Sequence, residues 1–309
     1  MRKIHQTIIC SLQDLIKYQK SLSANKSHKW IFRGEGFSGR IKDSLKTSLE
    51  MAFDSIDPSL KGARLNKHKI NAEKDIIREF QRKLHLYSDN LPTRADIIQW
   101  LSLMQHHGAP TRLLDWTYSF WVAIHFAVSG CTPGKKKTVA IWAVNVKDIV
   151  QKQEKTFDNN TKIRRLVEAI RNNHDLPYCD PDAIRDNAIV HHLIEVPKPM
   201  LYISSSFRRN ERLTLQQGTF LITGDITKSL KKNMQETASL DDENYVRVGV
   251  IKLTPGLKMD IVNRLLEMNM NNAVLFPGID GFCRSLWTRV PLHMEEKLVL
   301  ESKGLRLYP

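Results

Sequence analysis

The densest grouping of reactive side chains in this 309-residue sequence lies between Trp100 and Thr117, where His106, His107, Arg112 and Asp115 fall among apolar neighbours. Apolar surroundings exclude water, and titratable groups held in them acquire the shifted proton affinities that acid–base and electrostatic catalysis require. The same residues also admit a structural reading, in which Arg112 and Asp115 form a buried ion pair and the histidines cap the preceding helix. No metal is expected at His106 and His107, because adjacent helical side chains point about 100° apart and no carboxylate pair completes a ligand set.

Two other positions are chemically suggestive. Arg33 stands at the end of the short apolar run Trp30-Ile31-Phe32, which reads as a buried strand ended by Gly34 and Gly36. Arg208 and Arg209, beside Asn210 and Glu211, could line a groove for a phosphate backbone or form an ordinary solvated turn.

The elements that must hold these residues follow from periodicity. A Ser-x-x-Asp box opens a helix over residues 11–22. Residues 60–87 read as a long basic helix with Ile70, Ile76, Ile77, Phe80 and Leu84 on one face and Lys67, Lys69, Lys74, Arg78 and Arg82 outside it. A helix over 96–107 stops at Gly108-Ala109-Pro110, extended chain follows over 111–116, and 119–128 is apolar enough for a buried helix. Strands are expected at 139–144, 200–204, 212–215, 219–223 and 246–253, a helix at 259–268, and a loop or loosely held helix over 227–244. Charges dominate residues 147–198, which read as a partly helical insertion within one domain spanning 1–309. The order of elements is α+β with one mixed core, unlike the regular alternation of a doubly wound sheet.

Composition sets the setting. Lys and Arg number 47 against 33 acidic residues, a formal charge of +14 that favours polyanionic partners. Cys10, Cys131, Cys179 and Cys283 have no CxxC spacing, which fits a reducing compartment. No apolar run approaches the roughly 18 residues of a spanning helix, so a soluble, cytoplasmic protein without membrane attachment is expected.

Four stretches together resemble the FRG-domain family: Phe32-Arg33-Gly34; Gln105 to Thr117 (QHHGAPTRLLDWT); Arg212 to Phe220 (RLTLQQGTF); and Leu275 to Gly281 (LFPGIDG). The thirteen-residue block carries most of the specificity. Phe32-Arg33-Gly34 also resembles the first motif of arginine-type ADP-ribosyltransferases, and residues 113–127 resemble the second, with Asp115 where that motif has serine. The resemblance implies an ADP-ribosyltransferase-like mixed β core flanked by helices and NAD+ as substrate, with no metal. Phe32, Arg33 and Gly34 would hold the phosphates, a task suited to a planar guanidinium fork. Arg112, Thr117 and Tyr118 would complete the dinucleotide site, Thr117 on a ribose hydroxyl and Tyr118 on the nicotinamide ring. The transferase glutamate that stabilises the oxocarbenium-like transition state falls nearest Glu211; Asp115 is the alternative carboxylate, and His107 a base for the acceptor.

The family resemblance further implies a toxin of a toxin–antitoxin or phage-defence module that ADP-ribosylates nucleic acid, RNA rather than DNA. Arg208 and Arg209 would lie in the acceptor groove. A protein antitoxin, with a chaperone, would be the partner, contacting residues 147–192 and 227–244. A non-catalytic nucleic-acid or protein-binding module and an NAD+ glycohydrolase are the competing expectations.

Overall fold

A computed structural model describes residues 5–37, 45–56, 62–129, 137–157, 160–172, 180–204, 211–237, 244–287 and 290. Its elements in chain order are β1 (Gln6–Ile9), α1 (Leu12–Ser23), β2 (Trp30–Phe37), α2 (Ser48–Phe53), α3 (Ala63–Lys83), α4 (Ile97–His106), β3 (Leu113–Thr117), α5 (Phe120–Ser129) and β4 (Lys137–Asn145). They continue through α6 (Val146–Phe157), α7 (Thr161–Asn172), α8 (Pro181–Glu195), β5 (Leu201–Ser204), α9 (Glu211–Leu215), β6 (Gly218–Thr223), α10 (Leu230–Thr237), β7 (Val246–Leu253), α11 (Pro255–Glu267) and α12 (Asn272–Leu275). A further helix covers residues 279–287. The architecture is α+β, as the order of elements led one to expect.

The seven strands form one sheet in the order β1-β7-β4-β2-β3-β6-β5, antiparallel except for the β1–β7 pair. It is two half-sheets joined at one point. Strand β2 pairs with β4 along its whole length, Trp30 to Phe37, yet meets β3 at the single register pair Phe32↔Thr117. The hydrophobic core divides the same way. On one face, one apolar cluster gathers side chains of β3, β5 and β6 with α3, α4, α7 and α8, and a second gathers β2, β4 and β7 with α1, α5 and α11. On the other face a third cluster, including Ile31, Trp116, Trp142, Leu221 and Met234, runs beneath both halves. Alternation of side chains along each strand produces this sorting: Phe32 belongs to the second cluster and Ile31 to the third.

Several local expectations change on folding. Gly34 and Gly36 lie inside β2 and do not end it. A Cβ at Gly34 would stand 1.7 Å from the Ala123 carbonyl oxygen, so the missing side chain is what lets α5 lie directly on the strand. Residues 212–215, expected as a strand, belong to α9, whose end is marked by Gln217 at φ 48°. The charged stretch 147–198 takes part in the core: α8 contributes Ile184, Ala188, Ile189, Val190 and Leu193 to the first cluster, and the buried Asn187 side chain accepts from the Ile98 N–H. Residues 227–244 contain a firmly held helix, α10, because the buried Asn233 accepts from the backbones of Met200 and Asp225. Helix α4 stops where expected, with Gly108 at φ +83° immediately beyond it.

Candidate functional site

Arg33 sits where the half-sheets part. From β2 its Nη1 reaches across to donate to the Asp115 carbonyl oxygen of β3 at 2.7 Å, while Nε donates to Glu35 Oε1 at 2.8 Å. Two of the five guanidinium donors are thus engaged among the described residues, and the side chain remains 23% exposed. Glu35 is the carboxylate that shares this face, since residues two apart on a strand point the same way. Its second oxygen accepts from the Leu45 N–H at 3.1 Å, tying the chain that returns from β2 to the arginine. Sequence reasoning passed over Glu35, although the i, i+2 spacing in Arg33-Gly34-Glu35 was the signal for it.

Two tryptophans flank Arg33. Trp142 is its register partner on β4, and Trp116 lies on β3 one step from the Phe32↔Thr117 pair. Both are buried, and among the described residues neither indole N–H has a hydrogen-bond partner. Tyr118, half-buried, follows on the same face as Trp116, with the Lys29 ammonium 5.2 Å from its ring centroid.

The expected partnership of Arg33 with Asp115 takes a different form. Thr117 pairs with Phe32, so the Asp115 side chain shares the Phe32 face and emerges, exposed, on the side opposite Arg33. Only the Asp115 backbone meets the guanidinium.

Several other positions assigned to a dinucleotide are committed to the scaffold. Arg112 is completely buried; it forms a two-pronged ion pair with Glu73 of α3 and donates to the carbonyls of Leu193 and Thr223. Its partner is therefore Glu73, not Asp115. Phe32 is buried edge-on against Phe120. The buried Thr117 hydroxyl donates to the Gln216 carbonyl at 2.6 Å and accepts from the Ser119 N–H. His107 is the exposed C-cap of α4, and Glu211 is exposed in the first turn of α9, so neither is close-packed in a dry site. Arg208 and Arg209 lie outside the described residues.

The remaining signature stretches converge on the opposite face. Gln216 Nε2 donates to the Leu275 carbonyl at 2.9 Å, the Arg212 guanidinium stands 4.7 Å over the Phe276 ring, and Phe276 packs edge-on against Phe126 of α5. His106 meets His107 edge-on, and its proton affinity is lowered by partial burial first, then by His107 and Arg212. His125, inside α5, is the most perturbed histidine among the described residues: burial pulls its pKa to about 4, and Nδ1 has no partner among them. Nothing in its sequence spacing marked it. Among the described residues no three His, Cys, Asp or Glu side chains gather in a metal-holding group, and no helix is long and apolar enough to cross a membrane.

Residues 28–136 match the family model of the FRG domain. The match contains Arg33, Glu35 and the block from Gln105 to Thr117, and so both sides of the junction between the half-sheets. The two later stretches lie beyond it in sequence but are bonded to it through Thr117–Gln216 and Phe126–Phe276. No curated protein and no solved structure matches the chain.

Proposed function

We propose that this protein is an ADP-ribosyltransferase that binds NAD+ at the parting of the two half-sheets. The observation that carries the reading is Arg33, partly exposed at that parting between two buried tryptophans, with guanidinium donors beyond those that meet Glu35 and Asp115. A diphosphate there would take the guanidinium donors not engaged by Glu35 or Asp115. Bound in this way, NAD+ breaks its C1′–nitrogen glycosidic bond; nicotinamide leaves with the electron pair. An acceptor oxygen or nitrogen then bonds to C1′ and gives up its proton to a base. Glu35, on the Arg33 face, suits the stabilisation of the cationic sugar better than Asp115 or Glu211, which lie elsewhere.

The net charge of +14 favours a polyanionic acceptor, and RNA is the acceptor we propose. In this reading the protein is a cytoplasmic toxin of a toxin–antitoxin or phage-defence module, restrained by a protein antitoxin, with a chaperone as a further partner. Incubation with adenylate-labelled NAD+ and RNA, DNA or lysate tests the reading: label should enter RNA. Arg33→Ala and Glu35→Gln should each lower transfer at least a hundredfold, an effect of about 2.7 kcal/mol or more, and unaltered transfer by Arg33→Ala would refute the site. Release of free nicotinamide without labelled polymer would indicate hydrolysis instead.

A second reading, a binding module without chemistry, draws on the structural commitment of Arg112 and Thr117, both bonded to partners within the fold. It predicts nicotinamide release no faster than in buffer.

A further inference from the structure

Helix α3 carries a line of cations whose layout matches a nucleic-acid strand. Arg64, Lys67, Lys74, Arg78 and Arg82, with Asn71 among them, recur at steps of three and four residues. At 3.6 residues per turn these six positions fall within an arc of about 80° and extend for about 27 Å along the axis. That is about one polar or cationic side chain per 5.4 Å turn, a spacing comparable to that of consecutive phosphates along a strand. Arg64, Lys67, Asn71, Arg78 and Arg82 are exposed.

The helix is displayed rather than packed away. Of its 21 residues only Glu73 and Ile77 are buried, and Glu73 is neutralised by Arg112. Two acids stay outside, Asp75 beside Arg78 at 3.5 Å and Glu79 beside Lys83 at 2.5 Å. Midway along the line, Asn71, Lys74, Asp75 and Arg78 surround a depression of about 330 Å³. Lys74 also reaches Glu195 of α8 at 2.5 Å, which fixes α3 against the core. Arg112 opens the strand that supplies Asp115 and Trp116, so the same buried pair that holds α3 links it to β3.

We infer that this face of α3 is the docking track for the sugar–phosphate backbone of single-stranded RNA, the acceptor class of the reaction proposed above. The track holds the strand by charge, independently of base sequence and of NAD+. Lys69, turned to the other side over the Phe53 ring, and Lys83, paired with Glu79, take no part.

The test uses the full chain without NAD+ and a fluorescein-labelled, mixed-sequence 20-nucleotide RNA, followed by anisotropy at increasing KCl. The triple variant Lys67→Gln/Arg78→Gln/Arg82→Gln should bind more weakly at every salt concentration, and the slope of log affinity against log salt should fall by about 2, close to 0.7 for each lost phosphate contact. Lys69→Gln/Lys83→Gln should retain the wild-type slope, and circular dichroism should show both variants folded. An unchanged slope in the triple variant overturns the track, as does equal loss in the two variants. Tighter binding to DNA of the same sequence, or to polyglutamate, overturns the assignment to RNA. Because Arg33→Ala should keep full RNA affinity while losing transfer, failure of the track and failure of the catalytic reading give different results.

Discussion

A single absent methyl group decides how closely α5 approaches the sheet. At Gly34 any Cβ would overlap the Ala123 carbonyl and crowd the Ala127 nitrogen, and both are backbone atoms that cannot rotate away. Gly34→Ala should therefore lower stability by about 1–3 kcal/mol or more, seen as a fall in thermal midpoint. Unchanged stability would refute this packing role for the glycine. Arg112 makes a second argument at this scale. Removing one member of a buried ion pair strands the other, at a cost of about 3–5 kcal/mol, whereas apolar replacement of both is often neutral. Arg112→Met alone should thus be severely destabilised in urea, and Arg112→Met/Glu73→Leu should recover much of the loss. A double variant no better than the single would show that the carbonyls of Leu193 and Thr223, left without their donor, dominate.

Among the elements, strand β3 does most to organise the site. Its two faces serve different ends: Leu114 and Trp116 join the core beneath Arg33, while Leu113 and Thr117 join the helical side and Asp115 emerges there exposed. Helix α5 answers from above. It carries His125, whose Nε2 lies 3.2 Å from the Ser129 hydroxyl and whose folded pKa, about 4, is below the usual 6.5. In the pH window between these values the unfolded chain binds the extra proton, so stability is complete above about 6.5 and declines as pH falls toward 4. At most about 3 kcal/mol is at stake, from 1.36 kcal/mol per pH unit. Asp186 and Glu50, both raised mainly by burial, act in the opposite sense, gaining stability as pH falls. The check is therefore a comparison: denaturant midpoints from pH 7 to 4 should fall more steeply for the wild type than for His125→Leu. Parallel profiles would show that His125 does not carry the dependence.

At the scale of the molecule, the fold is a sheet parted at one register pair, with separate helical clusters over its halves and a shared cluster beneath. A cation placed at the parting is reached by solvent without being surrounded by it, the condition under which a guanidinium discriminates most strongly among anions. The basic face of α3 is joined to the first half-sheet through Glu73 and Arg112. Strand capture and the proposed chemistry would thus belong to elements connected by a rigid bond, while remaining separable by mutation.

The α+β class, the opening helix, the long basic α3, the stop after His107 and the strands at 139–144 and 219–223 were all legible in the sequence, because each depends on local periodicity or on a left-handed glycine such as Gly108. Residues 212–215 misled because a four-residue alternation of polar and apolar side chains satisfies strand and helix alike, and only Leu213 is buried in the helix that forms. The chemistry of Arg33 was visible as a residue type, but its neighbours were only partly so. Glu35 was marked by its i, i+2 spacing, but whether Asp115 shares that face is set by which residues pair across β2 and β3, and whether Arg112 meets Asp115 or Glu73 depends on a helix 39 positions earlier in the chain. Contacts of that range come from the assembled sheet and its covering helices, where burial leaves a charged group a single acceptable partner.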